Sequence, residues 1–160
     1  MRQRYVVALA VVAFVVVGMI VYSKILDSLM DDETRIRNVI ATITDSMEER
    51  GFREISRHVH ADFQTEAHNM DRDMAMAILR RVFLRYPVIR VKVRGLSVEI
   101  IDETTATARF MATASGARSA NSRDEDILQH RENKRFLLTF KKEDGDWQII
   151  RSQIIRSTAD

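Results

Sequence analysis

Four residues in one short stretch carry side chains that can bind a metal. His58, His60, Asp62 and His68 stand in the run H-V-H-A-D-F-Q-T-E-A-H. Imidazole nitrogens and carboxylate oxygens are common ligands of zinc and related ions. In a strand, positions i, i+2 and i+4 share a face, so His58, His60 and Asp62 would project together and His68 would complete the set. The spacing matches no established metal motif, and hydrogen-bonded histidines at a helix-to-strand turn are the simpler account. No metal and no cofactor is therefore expected. A second group is cationic. Arg90, Lys92 and Arg94 alternate with Ile89, Val91 and Val93, which places the three cations on the face turned away from the core. Arg109, Arg135 and Lys141 extend the stripe onto later segments. Such a stripe suits anionic headgroups or an acidic partner. A solvated strand face that discourages edge pairing is the plainer account.

Composition removes several classes of chemistry. The chain has no cysteine. Disulfides, thiolate metal sites and cysteine nucleophiles are excluded. The net charge is +2, and Arg2, Arg4 and Lys24 against Asp27 account for all of it, leaving residues 31–160 formally neutral. That balance is not the footprint of a nucleic-acid binder.

Hydrophobic periodicity supplies the elements that position these groups. Tyr5 to Ser23 is uncharged and mostly apolar. At helical rise it reaches roughly 28 Å, close to the hydrocarbon thickness of a bilayer. Arg2 and Arg4 precede it, and Lys24 and then the acidic Asp27, Asp31, Asp32 and Glu33 follow it; the positive-inside bias sets the amino terminus in the cytoplasm. A cleaved signal peptide would need a clearer small-residue site. From Asp32 to Arg50, Ile36, Val39, Ile40, Ile43 and Met47 recur on one helical face, and Gly51 is a candidate C-terminal cap. Phe52, Ile55 and Val59 face inward from a short second helix, and a short strand forms around Phe63.

Asp71 opens a third helix with the stripe Ala75, Ile78, Leu79, Val82, Phe83 and Tyr86, ended by Pro87. The strand Val88 to Ile101 changes the phase of its alternation at Gly95, which predicts a bulge. Thr105 to Ser115 alternates again, with small residues on one face. Gly116 to Asn133 is a long polar connection, in which Asp124 to Gln129 can form a helical turn. Lys134 to Lys142 is a strand, and Asp144-Gly145 supplies a two-residue hairpin turn. The last strand, Trp147 to Arg156, changes phase at Ile150 and is expected to bend.

This order of elements resembles the nuclear-transport-factor-2-like superfamily, the cystatin-like cone that includes the SnoaL-like proteins. The residues that carry the resemblance are His60-Ala61-Asp62-Phe63, the bent strand after Pro87, Thr104-Thr105-Ala106-Thr107-Ala108, and Lys142-Glu143-Asp144-Gly145-Asp146-Trp147-Gln148-Ile149. The resemblance covers about Thr34 to Ile155. It implies an α+β cone, a curved antiparallel sheet wrapped around three helices, so that with the apolar run ahead of it the expected fold is an N-terminal transmembrane helix followed by this cone. Residues 1–30 would be the membrane anchor and juxtamembrane linker, and 31–160 the cone domain.

The same resemblance implies two functions. Members that move a proton next to a carbonyl are similar to ketosteroid isomerase, with an aspartate base and an oxyanion hole of a tyrosine and a protonated acid. Asp62 and Glu99 are then the candidate acids and Tyr86 the candidate phenol, although the first helix lacks a tyrosine. That reading gives an isomerase, cyclase or dehydratase acting on a small apolar substrate in the cone. The leading expectation is non-catalytic: a ligand-binding or protein-interaction module. It would be held in the inner membrane by residues 5–23, with its amino terminus cytoplasmic and its domain periplasmic or extracellular. It resembles in this the bitopic assembly factors of type IV secretion systems, which carry a longer segment before the span. Its partners would be the bilayer and a protein or second copy docked on the sheet face, where Met111, Leu137 and Ile101 are expected, and not nucleic acid.

Overall fold

The computed structural model describes residues 31–66, 69–117 and 132–155. The expected anchor, His68 and the connection 118–131 lie outside the described residues. Among the described residues no helix is long and apolar enough to cross a membrane.

Helix α1 (31–49) is followed by α2 (Phe52–Arg57), β1 (Val59–Thr65), α3 (Arg72–Arg85), β2 (Val88–Ile100), β3 (Thr105–Ala117), β4 (Glu132–Glu143) and β5 (Asp146–Ile155). The five strands form one sheet in the order β1-β5-β4-β3-β2. Neighbours are antiparallel except β1, which pairs with β5 in parallel.

The helices pack on one face of the sheet. Ile36 and Ile40 of α1 meet Ala106, Ala108, Leu138, Phe140, Trp147 and Ile149, all buried. The alanines let the helix approach the sheet closely. A second cluster joins Ile55, Phe83 and Ile89, with Met47, Leu79 and Tyr86 against it. α1 also covers the free edge of β2. Glu48 Oε1 accepts the Val91 N–H at 2.9 Å, and Arg37 Nη1 donates to the Leu96 carbonyl at 3.3 Å. Backbone groups that would otherwise offer an edge for pairing are thereby used.

The bend in β2 is where the phase change placed it. Gly95 has φ +64°, and the β2–β3 register shifts between Arg94 and Ser97. β5 bends as expected, since its register with β4 skips Ile150. Asp144 and Gly145 both have positive φ, which defines the primed hairpin turn. Asp71 caps α3, its Oδ1 accepting from the Met74 N–H at 2.9 Å.

Two expectations need correction. The left-handed residue that ends α1 is Arg50 (φ 61°), not Gly51. Gly51 donates its N–H to the Ser46 carbonyl, and a Cβ there would lie 3.2 Å from Ser46 Cβ, so its role is close approach. Arg50 is held by its guanidinium, which donates to the Phe83 carbonyl at 2.7 Å. Ile78 is exposed rather than buried. It precedes Leu79 by one residue, about 100° round the helix, and α3 reaches the core only through the Leu79 side.

Candidate functional site

β1 is too irregular to align the histidines. Its register runs from Val59 opposite Ile149 to Gln64 opposite Arg151, and Val59 and His60 are both buried although adjacent. His58 is the C-cap of α2, and its Nε2 lies 3.4 Å from Glu54 Oε1 without a hydrogen-bond partner. His60 turns inward. The Asp62 N–H donates to His60 Nδ1 at 3.0 Å, so that nitrogen carries no proton. The ring proton is then on Nε2, which donates to Glu143 Oε2 at 2.9 Å. His60 thus ties β1 to the end of β4. The Asp62 carboxylate is exposed, 3.8 Å from His60 Nδ1. Among the described residues no three His, Asp or Glu side chains are arranged to hold a metal.

Asp62, Tyr86 and Glu99 are not brought together. Asp62 is on β1 and Glu99 on β2, the two edges of the sheet. Four strand spacings of about 4.8 Å separate those edges. Both acids are exposed. Tyr86 caps α3 with its ring packed on Gly116, where a Cβ would sit 3.1 Å from the ring.

The structure builds two other clusters, one at each end of β4. At the first, Asp32 is buried (4% exposed) at the start of described α1. Its Oδ1 and Oδ2 each accept from Lys142 Nζ at 2.9 Å, and Oδ1 also accepts from Trp147 Nε1 at 3.0 Å. Burial would push the Asp32 carboxyl up, but the bonds from Lys142 and Trp147 and the charges of Lys142 and Arg35 outweigh it. The carboxyl is held below the usual range. Beside this cluster lies a half-open pocket of about 320 Å³ bordered by Arg35, Asn38, Glu54, Arg57, His58 and Gln148. Its cations are spoken for: Arg57 pairs with Glu54, and Arg35 pairs with Asp31 and donates to the Gly145 carbonyl. Nothing in the spacing of Asp32 and Lys142, 110 residues apart, could have joined them.

At the other end of β4, an open groove of about 550 Å³ is bordered by Arg94, Arg109, Arg135, Met111 and Ile155, which face away from the helices, and by Phe110 and Phe136, which alternate to the helix side, where Phe110 packs against the core. Register explains it. Arg94, Met111, Arg135 and Ile155 form one row across four strands. Residues directly opposite in a ladder share a face. Arg94 and Arg135 therefore flank Met111 at two strand spacings, about 10 Å apart, and Arg109 lies about 7 Å along β3. Phe110 stacks on Phe136 at 5.6 Å. Of the stripe read from sequence, Arg94 joins this groove, whereas Arg90 pairs with Glu48. Arg109, Arg135 and Met111 were legible as outward residues; the row that unites them required the register.

Comparison with known proteins places the fold. The sequence matches no protein-family model and no curated protein. Solved structures are similar. A protein proposed to be a scytalone dehydratase from Novosphingobium aromaticivorans DSM 12444 superposes with a TM-score of 0.67 at 16% identity, over 80% of this chain and 85% of that one. A nuclear-transport-factor-2-like protein of unknown function from Pseudomonas putida KT2440 gives 0.65 at 14% identity, over 78% and 86%. The hexachlorocyclohexane dehydrochlorinase LinA-type3 from Novosphingobium barchaimii LL02 gives 0.63 at 9% identity, over 81% and 89%. The fold is thus the nuclear-transport-factor-2-like cone, an α+β fold with a curved, mostly antiparallel sheet. At these identities the likeness is one of fold, and the fold hosts unrelated functions.

Proposed function

We propose that this chain is a membrane-tethered, non-catalytic interaction module. Residues 5–23 cross the inner membrane, and residues 31–160 form a domain on its periplasmic or extracellular side. The domain binds through the outer face of its sheet. The observation that carries this reading is the groove between Arg94, Arg109 and Arg135. Three cations from three adjacent strands surround exposed apolar side chains, and none of the three has a carboxylate partner among the described residues. Exposed apolar surface rimmed by polar groups is the ordinary mark of a contact site. The tether rests on the length and charge flanks of the apolar run.

A second reading has one observation behind it. The fold is shared with proteins whose names are those of a dehydratase and a dehydrochlorinase. Against it, the candidate groups Asp62, Tyr86 and Glu99 lie apart.

Photo-crosslinking separates the two. A photoreactive amino acid at Met111 of the full chain, in its native membranes, is expected to give a discrete protein adduct, and the same group at exposed Leu84 to give none. No adduct at Met111, together with a small apolar molecule co-purifying with the chain, would reverse the assignment in favour of the enzyme. Because the chain has no cysteine, a single Leu84→Cys variant also reports topology. A membrane-impermeant maleimide is expected to label it in cells whose outer envelope alone is opened.

A further inference from the structure

The position of the groove along β4 bears on what it can bind; this builds on the reading of the sheet face as the contact surface. Arg135 and Lys142 are seven residues apart on one strand, about 24 Å at strand rise. Lys142 is bonded to Asp32, so the chain that leads back toward residues 1–30 leaves the domain at the Lys142 end. The groove lies at the other end. Lys92 continues the cationic row still further from the tether, since it is in register with Thr113, whose hydroxyl donates to Asn133. A bilayer at the tether is therefore poorly placed to reach these arginines.

Charge argues against a second copy. Arg90 and Lys141 on the same face are paired with Glu48 and Glu143, but Arg94, Arg109 and Arg135 have no such partner among the described residues. A two-fold contact sets one patch against its own copy. Cations with no partner among the described residues would then meet cations, which is destabilising when they are directly opposed.

We propose that the groove binds an acidic segment of another protein, one that also carries apolar side chains, presented from the side of the domain away from the membrane. Guanidinium groups take carboxylates in paired, parallel hydrogen bonds. Three of them around an apolar floor fit a segment whose acids flank a large apolar residue. That residue covers Met111 and Ile155, where exclusion of water strengthens the surrounding ion pairs.

The test uses the full chain in nanodiscs of phosphatidylcholine and a fluorescent hexapeptide, Asp-Glu-Leu-Phe-Glu-Asp, with its uncharged counterpart Asn-Gln-Leu-Phe-Gln-Asn. The acidic peptide is expected to bind, and binding is expected to weaken tenfold or more in R94Q/R109Q/R135Q, with the uncharged peptide, and progressively with salt. If the triple variant does not fold, Arg109→Gln alone is expected to weaken binding about threefold. Equal binding by wild type and variant overturns the proposal. So does displacement of the peptide by phosphatidylglycerol nanodiscs, which would make the bilayer the occupant. So does tenfold tighter binding by D124N/E125Q/D126N, which would make the chain's own acidic run the occupant. A dimer in wild type that the triple variant lacks would assign the face to a second copy. If the peptide arm fails while the Met111 adduct persists, the interaction module stands and only its acidic partner is lost.

Discussion

β4 carries a cation at each end, and the fold treats the two in opposite ways. Lys142 is drawn onto a buried carboxylate and lies 5.5 Å from the Trp147 ring. Arg135 stands exposed in a row with Arg94 and Met111. One end uses its charge inside the molecule, tying α1 to the β4–β5 hairpin. The other leaves surface cations without a carboxylate partner among the described residues. The difference separates a cation that holds the fold from one available to a partner, which strand periodicity alone cannot do.

The comparison breaks most readily at the buried end. Asp32→Asn leaves the Lys142 ammonium without its carboxylate. Removing one partner of a fully buried pair costs about 3–5 kcal/mol. Lys142 is part-exposed, so about 2–3 kcal/mol is expected, read as a lower urea midpoint with an unchanged slope. Trp147, the only tryptophan, reports the transition directly.

Acid sharpens the same point. The folded carboxyl of Asp32 titrates below its unfolded value. Between the two values the unfolded chain holds more protons, so stability rises with pH there. The contribution is complete above about pH 4 and is lost as pH falls through the lower folded value. Stability measured from pH 5 downward is expected to fall less steeply in Asp32→Asn than in wild type.

His60 lies between the extremes. It is buried, and its partner Glu143 is half-exposed. His60→Ala removes both ring bonds and leaves a void, with an expected cost of about 1–2 kcal/mol. Glu143→Gln keeps an acceptor for Nε2 and is expected to change the urea midpoint little. Equal losses in the two variants would mean that the Glu143 charge, rather than the bond, holds β1.

Much of this was readable from residues alone, and the failures have physical causes. The bend at Gly95, the Asp144-Gly145 turn and the Asp71 cap are local, set by the conformational range of a few neighbouring residues. They were legible for that reason. The Asp32–Lys142–Trp147 cluster was not, because it joins residues more than a hundred positions apart. The histidine reading assumed regular alternation in β1, and the register shift in its pairing with β5, between Val59 and Gln64, interrupts it. At the groove, periodicity identified Arg94, Arg109 and Arg135 as outward. Only register could say that Arg94 and Arg135 share one row.

Gly95 tests the groove end through the backbone. Its φ is +64° and nothing lies within 4 Å of where a Cβ would be. Gly95→Ala is then a pure conformational substitution, costing about 1 kcal/mol. The same substitution is expected to shift Arg94 beside it, and peptide binding to weaken alongside. A loss of stability with binding intact would show that the bend shapes the sheet and not the groove.

The smallest expected effect is the most decisive for the comparison. R94Q/R109Q/R135Q removes three charges that have no carboxylate partner among the described residues. Substitutions at such positions ordinarily change stability by no more than about 0.5 kcal/mol. Relief of mutual repulsion makes a slight gain the expected sign. Salt provides the check, since screening lowers repulsion among exposed charges. Raising ionic strength should stabilise wild type more than the triple variant and narrow any gap between them. A loss above about 1 kcal/mol would mean that these arginines hold the sheet together as Lys142 does. The two ends of β4 would then be alike, and the groove would lose the available charge on which its proposed role as a contact site depends.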